Sequence, residues 1–450
     1  MNIKLPEKVN QIIMTLLANG YEAYAVGGCV RDSLLGREAD DWDITTSASP
    51  YEVKALFRRT IDTGIQHGTV TVMLEKEGFE VTTYRIDGEY EDGRHPKEVL
   101  FTKNLTEDLR RRDFTINAMA YNEQTGLVDI FGGIKDLEQG IIRCVGIAKE
   151  RFEEDALRIL RAYRFSAQLG FEIEGETRGA ASLLAANLKK ISAERIRVEL
   201  TKLLLSPHPD RLLWAMEDGI TRQFLPEWDA MFATPQHNTN HYCNVGEHTL
   251  TVIKNIGISD VRWTKKEQTV LKFAALLHDV AKPAVHAVRE NGEDHFPEHA
   301  VVGAERARVI MRRLKFDNET TDMVVRLVNA HGEYSHEKTL AGMRKLMHRL
   351  GPDLMEYLWE LQSADIRAQH PDTLQVKEES LAVARQLHRQ VVEQGDCVSL
   401  KQLAVSGSDI ISLGIAPGRQ IGEILETLLQ KVLEDPKLNT KEKLLHTLQS

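Results

Sequence analysis

The segment DDWDITT (40–46) places two aspartates, Asp41 and Asp43, two residues apart. In an extended strand alternate side chains share a face, so both carboxylates would point one way with Trp42 opposite. Carboxylates held that close repel unless a divalent cation lies between them, and hard oxygen ligands suit Mg2+. Without the cation, the segment is an acidic turn with a solvated face. A third carboxylate on a neighbouring strand would complete a two-metal site: Glu80, opening EVTTYR, is the first choice and Asp87 the fallback. Such a set serves nucleotidyl transfer. One ion acidifies an attacking hydroxyl, and the other neutralises the triphosphate and its pyrophosphate leaving group.

Other residues could hold the nucleotide. In VGGCVRDSLLG (26–36) an apolar strand runs into Gly27-Gly28 and then a helical pattern, so free N–H groups and Arg31 would meet a phosphate. The same spacing also describes a plain turn. EDLRRRDFTINAMAY (107–121) sets Arg110, Arg111 and Arg112 ahead of Asp113 and an apolar, helix-like run from 114 to 121. Beside a phosphate site these guanidiniums would pair with a triphosphate; elsewhere they are a solvated turn. The helix expected over EEDALRILRAYRFSAQLG (153–170) puts Glu154, Arg158, Arg161 and Phe165 on one stripe, flanked by Asp155 and Arg164. Ile159, Leu160, Tyr163 and Ala167 fall opposite. Asp155 and Arg158 at i,i+3 are either a helix salt bridge or a base reader. Cytosine and adenine each offer an amino donor beside a ring-nitrogen acceptor, which a carboxylate and a guanidinium can match; uracil and guanine present the reverse.

Nine of the 16 histidines lie between His237 and His336, where even scatter would put about a quarter. With His248 and Asp365 from other helices, the adjacent His278-Asp279 gives an N2O2 set for a divalent transition metal. The pattern resembles the HD phosphohydrolase superfamily, with Ala281 standing where its motif usually has glycine. HAVRENGEDHFPEHA (286–300) is placed to line the site. A metal-free scaffold that has kept these residues is the alternative.

Short β-type runs at 21–28, 41–46, 67–75, 79–86 and 126–133, interleaved with helix-like stretches such as 50–59, describe one sheet. From about 150 onward apolar residues recur at three- and four-residue spacing almost to the end, an all-helical region. Residues 1–17 read as a short amphipathic helix, and no apolar run approaches the roughly 18–20 residues that cross a bilayer. At 450 residues, 42% hydrophobic and 28% charged, the chain has ordinary soluble composition, and its four cysteines are scattered without a CxxC pair. The net charge of −10 excludes nucleic-acid binding by bulk positive charge, though not by a local groove. Lys189, Lys190, Arg195, Arg197 and Lys202 form either such a groove or a solvated helix face. The cytoplasm is the simplest compartment.

GGCVRD, DWDITT, HGTVTV, RRDFTINAMAY and EDALRILRAYRF, in this order and spacing, together resemble the class II tRNA nucleotidyltransferase and poly(A) polymerase family. The resemblance implies an α+β protein: a polymerase-beta-like nucleotidyltransferase head with a small mixed sheet, then an extended helical neck, body and tail. The expected divisions are a head at 1–145, a neck at 146–210, a body at 211–370 with the HD domain at about 245–367, and an RNA-binding tail at 371–450. VSGSDIISLGIAPGRQIGEILETLL (405–429) resembles the family's RNA-contacting tail module. Carried over, Asp41 and Asp43 are metal ligands, Gly28, Arg31 and Arg112 contact the nucleotide, and Asp155 and Arg158 read the base with Arg161 and Arg164 beside them. Asp113 falls near the ribose.

HGTVTV resembles the CCA-adding branch rather than bacterial poly(A) polymerases, which carry a more basic segment there. The loop at 87–101 is missing from members that add only the two cytidines. The expected function is therefore template-independent building and repair of the tRNA 3′ CCA end from CTP and ATP with Mg2+. Addition of the terminal A alone, and poly(A) synthesis, are the alternatives within the family. From another class comes an HD-type phosphohydrolase with an RNA-binding head; the Asp41/Asp43 pair argues against it.

Overall fold

Val9, Ile12, Ile13 and Leu16 recur at helical spacing and are buried, so Glu7–Ala18 forms an amphipathic helix, α1. The computed structural model describes residues 3–39, 41–87, 99–257, 261–332 and 338–449. It divides into two units, Met1–Pro226 and Glu227–Ser450. The first holds a seven-stranded sheet: β1 (Ala23–Val26), β2 (Ile44–Thr46), β3 (Thr60–Gly64), β4 (Thr69–Leu74), β5 (Glu77–Thr83), β6 (Met119–Asn122) and β7 (Gly126–Asp129). The order is β3-β4-β5-β2-β1-β6-β7. β2 and β5 run parallel and the other neighbours antiparallel, giving the expected mixed sheet.

Burial follows position. AYAV of β1 and MAYN of β6 are buried at every residue, as central strands should be, whereas β4 alternates, with Val70 and Val72 inward. Tyr24, Val26, Tyr84, Leu105, Leu109, Ala118, Ala120 and Val145 pack together beneath the sheet. Helices of this unit include α2 (Gly28–Leu34), α3 (Leu105–Arg110), α4 (Ala148–Glu154), α5 (Leu157–Leu169) and α6 (Ala193–Leu204). Among its described residues the second unit is helical apart from a short hairpin pairing Ala287–Val288 with Asp294–His295 and an isolated bridge between Asn238 and His241. It includes α7 (Val245–Asn255), α8 (Lys265–Leu277), α9 (His299–Arg313), α10 (Asn318–Ala330), α11 (Met355–Ile366) and α12 (Pro371–Gln394). Among the described residues no helix is long and apolar enough to cross a membrane.

Three local expectations are corrected. Residues 114–121 are not a helix: a short turn at Thr115–Asn117 leads into β6, where burial between β1 and β7 decides the conformation. An apolar run that short carries no decisive period. The strand expected from 41 begins only at Ile44, so Asp41 and Asp43 precede it. The single helix over 153–170 is broken at Asp155, whose backbone is extended (φ −140°, ψ 103°). There the Asp155 carboxylate accepts from the Leu157 N–H at 3.0 Å, a side-chain bond that starts α5 afresh.

One buried carboxylate ties the sheet to the arginine segment. Asp108, fully buried on α3, accepts from Thr45 Oγ1 of β2 at 3.0 Å and pairs with Arg111 at 2.8 Å and Arg112 at 3.6 Å. Burial alone would raise its pKa, but the two guanidiniums outweigh burial and hold it below the usual carboxylate value. Asp108→Asn should therefore cost about 3 kcal/mol in urea unfolding at neutral pH. A depressed carboxyl stabilises above its unfolded pKa and loses that contribution as pH falls through the folded one. The deficit should thus shrink below about pH 4; a deficit independent of pH would assign the loss to packing instead.

Candidate functional site

Parallel pairing aligns Ile44 with Val81, so the residues just before them, Asp43 and Glu80, come to the same end of the β2/β5 pair. Both line one cleft of about 900 Å³ with Asp41, together with Trp42, Thr71, Phe79 and Lys8. Partial burial raises the pKa of Asp43, and Asp41 adds to this against the pull of Arg112. Glu80 is raised by burial and by repulsion from Asp43 and Asp41. Asp43 and Glu80 thus both feel neighbouring carboxylates, a repulsion that a divalent cation would relieve. The fallback Asp87 ends a short strand, Arg85–Asp87, paired with Val99–Phe101. Residues 88–98 of the loop assigned to terminal-A addition lie outside the described residues, as does Asp40.

The glycine turn does what its sequence suggests, but at Gly27. Its φ of +83° favours glycine, and a Cβ there would stand 3.0 Å from Arg112 Nη1. Gly28 opens α2, where a Cβ would lie 3.7 Å from Arg31 Nη2. Arg31 is nearly buried and donates to Asn117 Oδ1 at 2.6 Å and to the Asp32 carboxylate at 2.8 and 2.9 Å. Arg112 Nε is buried without a hydrogen-bond partner. Phe165 collects three cations: the guanidinium carbons of Arg164, Arg31 and Arg161 lie 3.5, 5.0 and 5.3 Å from its ring centroid. Gly27, Asn117 and Phe165 were not among the expected site residues. Gly27 was legible as half of the glycine turn and Phe165 by falling on the charged stripe, whereas Asn117 left no trace of its own.

Asp155 and Arg158 do not brace each other. Arg195 of α6 grips Asp155 through two bonds of 3.2 and 2.6 Å, and Arg158 donates to Glu154 at 2.6 Å. Arg195, one of the cations considered for an RNA groove, thus spends its charge here. An ionised carboxylate has about four lone-pair sites. Arg195 and Leu157 N–H use three, so Oδ2 of Asp155 keeps one for a further donor. Arg161 pairs with Asp113 at 2.6 Å and Arg164 with Glu199 at 2.8 Å. Burial would raise Asp113, but Arg161 and Asn117 outweigh it and hold its carboxyl far below the ordinary range.

Three family models match the chain: the poly A polymerase head domain over residues 23–143, the probable RNA and SrmB-binding site of polymerase A over 170–232, and tRNA nucleotidyltransferase domain 2 over 299–448. The CCA-adding enzyme of Bacillus stearothermophilus, solved in complex with CTP, superposes with a TM-score of 0.70 at 30% identity, covering 99% of this chain and 98% of that one. The chain belongs to the poly(A) polymerase and CCA-adding nucleotidyltransferase family. The CCA-adding enzyme of Lactiplantibacillus plantarum is 56% identical over 198 residues, 44% of this chain and 49% of that enzyme. That of Oceanobacillus iheyensis is 52% identical over 219 residues, 49% and 55%. The match therefore spans about half the length of these curated relatives.

Outside that nucleotidyltransferase head, the second unit gathers four imidazoles around two carboxylates. His248 Nε2 stands 2.9 Å from Asp365 Oδ1 and 3.4 Å from His278 Nε2, and His278 Nε2 is 3.2 Å from Asp279 Oδ2. On the other side of Asp279, His299 and His331 approach Oδ1 at 3.8 and 3.7 Å, with their Nε2 atoms 3.3 Å apart. His248 and Asp365 come from α7 and α11 as expected, while His278 and Asp279 lie just past the end of α8. Each ring faces a backbone carbonyl with Nδ1: Ala368 at 3.3 Å, Ala275 at 2.8 Å, Phe296 at 2.8 Å and Val328 at 2.7 Å. A neutral imidazole that donates from Nδ1 carries a lone pair on Nε2. The Nε2 atoms therefore converge with acceptors facing acceptors, which a transition-metal cation would resolve. Burial lowers His331 to about 4 and also lowers His299, whereas at His278 the Asp279 and Asp365 carboxylates outweigh burial and raise the pKa. Lys282 reaches Asp279 at 2.6 Å. His299, in the 286–300 segment expected to line the site, and His331, in the histidine-rich stretch, extend the four-residue ligand set expected from the sequence.

Because burial and repulsion raise Asp43 and Glu80, their charges destabilise the metal-free fold at neutral pH. Asp43→Asn and Glu80→Gln should each melt no lower than the wild type, yet lose at least roughly tenfold in Mn2+ affinity by titration calorimetry. Asp87→Asn should leave that affinity unchanged. The reverse ranking of Glu80 and Asp87 would exchange their roles.

Proposed function

We propose that the protein adds and repairs the 3′-terminal CCA of tRNA from CTP and ATP, as a cytoplasmic enzyme. The observation that carries this reading is the convergence of Asp41, Asp43 and Glu80 on one cleft, with Arg112 acting on Asp43 and standing over Gly27. The likeness to a CTP-bound CCA-adding enzyme supports it along the whole chain.

The three carboxylates fit Mg2+, which when bound would supply charge neutralisation at the attacking hydroxyl and the leaving pyrophosphate. Gly27 and Gly28 leave room for a triphosphate at the start of α2, and Arg31 and Arg112 would bind its oxygens. Asp155, held by Arg195, would accept from the amino group of cytosine or adenine. Arg158, on leaving Glu154, would donate to the adjacent ring nitrogen. Arg161 and Arg164 support that wall through Asp113, Glu199 and the Phe165 ring.

Incubation with tRNAs ending in the discriminator base, in C and in CC, each with one labelled nucleotide, tests this reading. Cytidine should enter the first two and adenosine only the third. Extension of the CC-ending substrate alone would make it an A-adding enzyme, and untemplated A-tailing of all three a poly(A) polymerase.

The imidazole cluster favours a second site. His248, His278, Asp279 and Asp365 would hold one divalent transition metal, and Asp279, His299 and His331 a neighbouring one. Metals so bound would supply an activated water for phosphoester hydrolysis. Elemental analysis of the purified protein should find metal that His278→Ala/Asp279→Ala lacks. The variant should still add CCA, since its ligands all belong to the second unit; loss of addition would show that the two sites are coupled.

A further inference from the structure

On α11, Glu356, Trp359, Glu360 and Ser363 recur at three- and four-residue spacing, and Arg367 follows just beyond the helix end. On α12, Arg385, His388 and Arg389 do the same. With Arg262 they line a cleft of about 540 Å³. Asp365 lies roughly 200° around α11 from Ser363, so the cleft and the histidine cluster use different faces of that helix.

The floor is fixed. Trp359 is 2% exposed, and its Nε1–H donates to His388 Nδ1 at 3.2 Å. Burial lowers the pKa of His388, so the ring is neutral and its remaining N–H sits on Nε2. Arg385 Nη2 donates to the Trp359 carbonyl at 2.9 Å, while its Nε is buried without a partner. Arg367 is anchored on the carbonyls of Ser363 and Asn255 at 3.1 and 3.2 Å. Carbonyl anchors orient a guanidinium without cancelling its charge.

The carboxylates do not cancel it either. Glu360 pairs with Arg262 at 3.6 Å, and Glu356 stands 3.9 Å from the neutral His388. No carboxylate among the described residues lies within 4 Å of Arg367, Arg385 or Arg389. With Arg262 and Glu360 set aside as a pair, Arg367, Arg385 and Arg389 face Glu356 alone, which leaves two positive charges among the lining residues in a chain whose net charge is −10. The anchored guanidiniums of Arg367 and Arg385, with Arg389 beside them, suit the oxygens of a tetrahedral dianion.

We propose that this cleft between α11 and α12 binds a phosphate group, as orthophosphate, pyrophosphate or the terminal phosphate of a small phosphorylated ligand. The full-length protein in EDTA should bind inorganic phosphate and pyrophosphate by calorimetry. Arg385→Gln/Arg389→Gln should weaken binding at least tenfold while melting as the wild type does. Glu356→Gln/Glu360→Gln should tighten it severalfold, an independent arm should the arginine variant fold poorly. Binding that neither pair of substitutions changes, or no binding at all, would overturn the proposal. A loss confined to tRNA affinity in gel-shift assays would overturn the small-ligand assignment and make the cleft a contact for an RNA backbone phosphate.

Discussion

The head is organised by the cost of placing Asp41, Asp43 and Glu80 together at one end of a parallel strand pair. Repulsion from the neighbouring carboxylates adds to burial in raising Asp43 and Glu80, a standing destabilisation that is offset around them. Arg112 is the hinge of that compensation. Its guanidinium acts on Asp43, Asp108 and Asp113 together, so the cleft, the sheet and the Asp113–Arg161 pair share one positive charge. Asp108 holds that segment against β2. Gly27 leaves the space Arg112 fills, and a side chain there would meet both a forbidden backbone angle and a guanidinium.

The same reasoning applies to the second unit with softer ligands. Four rings turned through Nδ1 to carbonyls face one another through Nε2, so as neutral imidazoles they meet lone pair to lone pair, and at His278 Asp279 and Asp365 outweigh burial and favour the proton. Lys282 supplies one charge, but a single ammonium bonded to Asp279 does not answer the remaining imidazole lone pairs. Hard oxygen donors in the head and mixed imidazole–carboxylate donors in the second unit therefore suit different cations.

Much of this was legible in the sequence because the chemistry lies in short segments of fixed spacing. The alternation of β4, with Val70 and Val72 inward, the buried AYAV of β1 and the amphipathic α1 each carry a pattern that burial then enforces. What could not be read is where local preference yields to tertiary partners. MAYN at 119–122 has no helix-excluding residue, and only its place between β1 and β7 makes it a strand. Asp155 fits a helical stripe on paper, but its carboxylate competes for the Leu157 N–H and ends the helix. Its partner, Arg195, lies 40 residues away, and His299 and His331 likewise meet only in the fold. Periodicity sees neighbours one turn apart and is silent about these.

If side chains stand in for a template strand, nucleotide choice must precede any RNA. Equilibrium binding of CTP, ATP, UTP and GTP to the RNA-free protein with Mg2+ measures this directly. Reading by Asp155 and Arg158 predicts that UTP and GTP bind roughly tenfold or more weakly than CTP and ATP, and that Asp155→Ala levels the four. Equal binding of all four nucleotides to the wild-type protein would contradict it and move base selection away from this wall.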